Sequence, residues 1–176
     1  MRAVLTPLGV ELVDRPADVP DVEETGETLE ANALLKARAL VEATQCASIA
    51  DDTGLFVDAL DGRPGVRSAR YAGETASYDD NVTKLLGELD GVEMRTARFI
   101  TVIAVAYPDG TSFCVQGELK GTIAHARTGD QGFGYDPVFV ADGDIRTLAE
   151  LTPQEKNETS HRARALRALS EELSRR

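Results

Sequence analysis

A chain of 176 residues, 42% apolar and 28% charged, has the material for one domain with its own core. Its net charge of −11 opposes a nucleic-acid polymer, no apolar run approaches membrane-spanning length, and the N-terminus lacks the basic-then-apolar pattern of a secretory signal. Cys46 and Cys114 have no CxxC spacing and no histidine cluster, which suggests neither a zinc site nor a disulfide framework and fits reduced thiols in a cytosolic protein.

The alternation in GVELVD, residues 9–14, predicts a short strand. After an acidic, proline-containing loop, Thr28 reads as the N-cap of a helix over LEANALLKARALVEA, where Leu29, Ala33 and Leu40 recur at helical spacing. CASIA and LFVDAL read as two short strands around Asp51-Asp52-Thr53-Gly54, the second closed by the turn signal Asp61-Gly62. GRPGVRSARYAGE has no period and reads as a loop. Ser77 and Asp80 form a variant capping box for a helix with the stripe Val82, Leu85, Leu86, Leu89. TARFITVIAVAY is β-branched and aromatic, and Pro108-Asp109-Gly110 turns it into TSFCVQGEL as a long hairpin. A glycine-rich loop, TGDQGFGYDP, leads into the strand VFV. TPQE then starts a helix, and RARALRALSEEL forms an amphipathic one through Ala165, Leu166, Leu169 and Leu173. The order of elements predicts a single α/β domain over residues 1–176, with a mixed, elongated central sheet flanked by helices.

Three segments carry groups suited to chemistry. Adjacent side chains of an extended segment point to opposite faces, so Asp51 and Asp52 can do different jobs; carboxylate oxygens at a strand end suit Mg²⁺, which takes one or two of them beside waters and phosphates. Taken alone, the same run reads first as a capped turn. In GFGYDP, residues 132–137, glycines admit close backbone approach, an aromatic face can stack on a planar base, and a carboxylate can accept from ring or ribose donors; a tight turn beside the core is the equal alternative. Lys156, His161 and Arg162 gather donors near a helix start in an otherwise acidic protein, although a solvated helix face would look the same.

Together ADDTGL…PGVRSARYAGE, GFGYDPVF and LTPQEKNETSHRARAL resemble the inosine/xanthosine triphosphate pyrophosphatases, from about residue 2 to the C-terminal helix. That resemblance implies hydrolysis of deaminated purine nucleoside triphosphates to monophosphate and pyrophosphate, a Mg²⁺ cofactor, a cleft between two lobes and a homodimer. It also implies the roles of individual residues. Asp52 would be proton acceptor and metal ligand, and Glu24 a second metal-associated carboxylate. Thr53 would contact substrate, as would the nucleotide-binding Phe133, Gly134, Tyr135 and Asp136. Lys156, His161 and Arg162 would make base-side contacts, and Lys36 would approach the phosphates.

The family pattern opens with a strand followed by Ser/Thr-x-Asn-x-x-Lys, whereas MRAVLTPLGVEL resembles the helix after that loop. The expectation is a misassigned start and a chain that is weak or inactive as it stands. Asn81-Val-Thr-Lys84 has the Asn-x-x-Lys spacing but lies in a capped helix with no strand before it, and reads as a decoy. The alternatives are a nucleotide-binding module without turnover, and a related pyrophosphatase acting on other keto bases.

Overall fold

The computed structural model describes residues 5–176, in which four α-helices and five strands form an α/β fold. The helices are α1 (Leu29–Thr44), α2 (Tyr78–Glu88), α3 (Pro153–Thr159) and α4 (His161–Arg175); the strands are β1 (Ser48–Val57), β2 (Pro64–Gly65), β3 (Thr96–Ala106), β4 (Ser112–Ile123) and β5 (Phe139–Ala141). They form one sheet in the order β2-β1-β3-β4-β5.

Helix starts follow the side chains that cap them. Thr28 Oγ1 accepts from the Ala31 N–H at 3.1 Å. Ser77 with Asp80 and Thr152 with Glu155 form complete capping boxes, each satisfying donors that an open helix end would leave unpaired. A cap of this kind contributes about 1 kcal/mol.

Two strand expectations are corrected. Residues 9–14 form no strand: Val10 and Leu12 pack against the core while Val13 is exposed, so the alternation is real, but no ladder forms there. CASIA and LFVDAL are one strand, because β1 runs without a break through Asp51-Asp52-Thr53-Gly54. Of the helix expected for the opening stretch, the part on residues 1–4 lies outside the described residues, and Thr6–Leu8 form a 3₁₀ turn.

Two neighbouring pairs of the sheet have a defined sense and register. β1 pairs antiparallel with β2, Leu55 opposite Gly65; β4 pairs antiparallel with β5, Ile123 opposite Phe139. β3 and β4 are joined by a hairpin turn in which the Tyr107 N–H donates to the Thr111 carbonyl at 2.9 Å. These are short-range returns of the chain, which favour antiparallel pairing over the long crossovers a parallel pair requires.

The described residues divide into two compact units. One holds the chain up to Asp52 with Thr101–Gly117 and Arg162–Arg176. Its core is Leu5, Ile103, Val105, Ala165 and Leu169, so the apolar stripe expected on the last helix is the face that α4 buries. The other holds Thr53–Ile100 and Glu118–His161, around Leu55, Val57, Val82, Leu85, Leu89 and Phe139. Phe99 and Phe139 meet there with ring centroids 4.7 Å apart. Residues 101–106 are all buried, which explains the unbroken apolar run of β3: both faces of that half-strand are covered.

Candidate active site

In the first unit, Asp52 projects from β1 onto α1 and is only 8% exposed. Its Oδ1 accepts from Lys36 Nζ at 2.8 Å and its Oδ2 from Asn32 Nδ2 at 3.4 Å. Lys36 also donates to Glu24 Oε1 at 3.0 Å. Asn32 and Lys36 stand four residues apart on α1, hence on one face of the helix. Asn32 is fully buried, and its Oδ1 accepts from the Gly26 N–H at 2.8 Å, which ties the acidic loop to the same residue. A Cβ on Gly26 would lie 2.6 Å from that oxygen, so the close approach requires glycine here.

Two carboxylates thus share the Lys36 ammonium. Burial raises the Asp52 pKa, and the nearby Glu24 charge adds to it; Lys36 and Asn32 offset this in part. Burial works against the Lys36 charge, yet the bonds and charges of Asp52 and Glu24 outweigh it and raise that pKa too. A cavity of about 330 Å³ opens beside the cluster, lined by Arg15, Asp21, Glu24, Lys36 and Asp51 among others. Among the described residues no three or more His, Cys, Asp or Glu side chains gather as a complete metal cage. A two-carboxylate site suits a magnesium ion that takes its other ligands from water and substrate phosphate, so the donor set fits.

Asp51, the next residue along β1, takes a different partner: its Oδ2 accepts from an Arg162 terminal nitrogen at 2.8 Å. The capped turn expected of this Asp-Asp-Thr-Gly run is corrected, because β1 continues through it.

In the second unit, the glycine-rich loop is built around Asp136, which is 4% exposed. Its Oδ2 accepts from the Phe133 N–H at 2.7 Å and pairs with the Lys156 ammonium. Gly132 has φ +81°, and a Cβ there would lie 2.2 Å from Asp136 Oδ2, so this turn needs glycine for both its conformation and its space. The pair holds Lys156 Nζ 5.2 Å above the Phe133 ring, while Phe133 stays 58% exposed and sits 6.0 Å from the Tyr78 ring. An exposed aromatic face beside a fixed ammonium can receive a planar, electron-rich ring. Gly134, at φ +63°, turns the chain from Phe133 into Tyr135.

Tyr135 is buried and anchors the loop rather than facing outward: its hydroxyl donates to the Ser68 carbonyl at 2.9 Å, and burial pushes its pKa up. Ser68 Oγ accepts from the Leu55 N–H at 2.8 Å and donates to the Gly65 carbonyl at 2.6 Å. His161 is buried and stacked on Phe99, centroids 4.7 Å apart, whereas Arg162 is partly exposed. Thr53 follows Asp52 on β1 and is partly buried.

Asn81 and Lys84, in the Asn-x-x-Lys spacing, both bond backbone groups near the Ser68–Arg70 turn. The Asn81 amide accepts from the Ala72 N–H and donates to the Ala69 carbonyl, while Lys84 Nζ donates to the Tyr71 carbonyl and sits over the Tyr71 ring. They fasten the Ser68–Arg70 turn region to α2. The residues missed from sequence are Asn32, Ser68 and Tyr78; of these only Asn32 left a signal, its spacing of four from Lys36.

The fold is one seen before. A HAM1 protein from Coxiella burnetii superposes with a TM-score of 0.93 at 39% identity, over 99% of this chain and 91% of that one. The chain belongs to the Ham1 family, whose model matches residues 1–172. It is 49% identical over 175 residues to a Streptomyces coelicolor protein named dITP/XTP pyrophosphatase, covering 96% of this chain and 88% of that relative. It is also 53% identical over 175 residues to a Geobacillus kaustophilus protein of the same name, covering 97% and 85%. Among the described residues no helix is long and apolar enough to cross a membrane.

Proposed function

We propose that this chain hydrolyses deaminated purine nucleoside triphosphates, those of inosine, deoxyinosine and xanthosine, to monophosphate and pyrophosphate. The observation that carries the reading is the buried Asp52 carboxylate held with Glu24 around Lys36. Family membership and the names of the relatives agree with it.

Asp52 and Glu24 would hold a magnesium ion, which supplies charge neutralisation of the polyphosphate when bound. Asp52 accepts the proton of a water whose oxygen attacks the α-phosphorus. The bond from that phosphorus to the bridging oxygen breaks, and pyrophosphate leaves with the electron pair. Lys36 meets the phosphate oxygens as a cation already fixed in place, and Thr53 adds a hydroxyl next to Asp52 on β1. The base lies on Phe133 within the loop of Gly134, Tyr135 and Asp136. On the family resemblance, Lys156, His161 and Arg162 are the residues that would present donors to its edge. Hypoxanthine and xanthine carry a keto oxygen at position six, where adenine has an amino group that would set donor against donor. A buried mismatch of that kind discriminates far more strongly than a missing methyl group. On the same resemblance, the reading includes a homodimer working in the cytosol, on free nucleotides rather than nucleic acid or membrane.

A panel of inosine, xanthosine, guanosine, adenosine and deoxyuridine triphosphates, run with and without Mg²⁺, tests this reading. Pyrophosphate release is expected to be fastest with the first two, at least about a hundredfold above adenosine triphosphate, on the scale of a donor mismatch. Chelation should stop it. Equal rates across all bases would refute the base-reading half of the proposal. Tight binding of inosine monophosphate with no turnover of any triphosphate would point to a binding module instead.

A further inference from the structure

We propose that Asp51 is a positioning residue that sets purine selectivity by holding the Arg162 guanidinium in place. The inference rests on the reading of Arg162 as a base contact.

Asp51 and Asp52 are neighbours on β1 and take partners from different helices of the same unit: Lys36 on α1 for Asp52, and Arg162 on α4 for Asp51. Arg162 reaches Asp51 from 111 positions along the chain. The contact uses one terminal nitrogen, and the Arg162 side chain makes no other hydrogen bond or ion pair among the described residues. The rest of its planar donor fork is therefore unspent, and one fixed corner orients the whole plane.

Helix stability does not account for this arrangement. Arg162 is the second residue of a 15-residue helix, where backbone N–H groups already concentrate positive charge and a cation is disfavoured. The first turn of α4 contains no acidic residue, so Asp51 supplies the compensating charge from another strand. Partly exposed ion pairs add little to stability. What the pair does fix is the direction of a donor group whose other nitrogens remain open.

The test compares kcat/KM for inosine and adenosine triphosphates in the parent, Asp51→Asn, Asp51→Glu, Arg162→Ala and the Asp51→Asn/Arg162→Ala double variant, with thermal melting alongside. Asp51→Asn is expected to narrow the inosine-to-adenosine ratio at least tenfold, mostly through KM for the inosine substrate. Asp51→Glu, which keeps the charge, should recover most of the ratio. In the Arg162→Ala background, Asp51→Asn should change the ratio less than twofold, because the two residues act as one unit. If Asp51→Asn does not fold, Arg162→Lys provides the same comparison by keeping the charge and losing the fork. A parental ratio in Asp51→Asn overturns the proposal, as do multiplicative effects in the double variant. An unchanged ratio in Arg162→Ala removes its premise and overturns it too. Failure of the parent to release pyrophosphate from any purine triphosphate would instead bring down the activity reading itself.

Discussion

Asp52→Asn is expected to lower kcat for inosine triphosphate by about a thousandfold, within the range that loss of a positioned general base produces. The amide keeps the volume and still accepts from Lys36, and Lys36 keeps its bond to Glu24, so the cluster should stay folded. On the proposed mechanism, what would be lost is the negative charge that takes the proton of water and helps hold the cation. Steady-state pyrophosphate release at saturating substrate reads the effect. A kcat within threefold of the parent would mean that the buried carboxylate is only structural.

Lys36→Met should have the second-largest effect, and it separates two roles. The ammonium bonds to both Glu24 and Asp52. Without it, kcat/KM should fall about a hundredfold, as for removal of a preorganised electrostatic donor. Stability should respond as well, because two carboxylates then share a partly buried pocket with no cation between them. Divalent ions should then bind where the ammonium stood, and Mg²⁺ at a hundred times its Kd would stabilise by about 2.7 kcal/mol. For a chain of this length that corresponds to a rise in Tm of roughly 5–10 °C. The parent, with Lys36 in place, should show a smaller rise. Melting curves with Mg²⁺ titrated against each protein check this, and a variant whose Tm ignores the ion would place the cation site elsewhere.

The helices were readable because their signals are local. Thr28, Ser77 and Thr152 cap the helices they were expected to cap, and the stripe on α2 faces the core. β1 was not readable as one strand, because Asp-Asp-Thr-Gly carries strong turn propensity. What overrides it is tertiary: Lys36 and Asn32 from α1 hold one carboxylate and Arg162 from α4 the other. None of those distances is written in local sequence. Residues 9–14 failed in the opposite sense, since their alternation describes burial and carries no information on whether a partner strand stands beside them. The candidate site divides in the same way. Asp52, Asp136 and Lys156 could be found from their motifs, but the pairing of Asp136 with Lys156 and the demand for Gly132 arise only when the loop folds back on itself. Tyr135 is buried and bonded to the Ser68 carbonyl while Phe133 stays exposed, a distinction the string FGYD does not make.

The most direct test of the central claim is hydrolysis of inosine triphosphate in ¹⁸O-labelled water, with mass analysis of both products. Attack at the α-phosphorus by water whose proton goes to Asp52 places the label in inosine monophosphate and leaves pyrophosphate unlabelled, one of each per turnover. Label in pyrophosphate, or release of orthophosphate in its place, would show attack at another phosphorus and contradict the account.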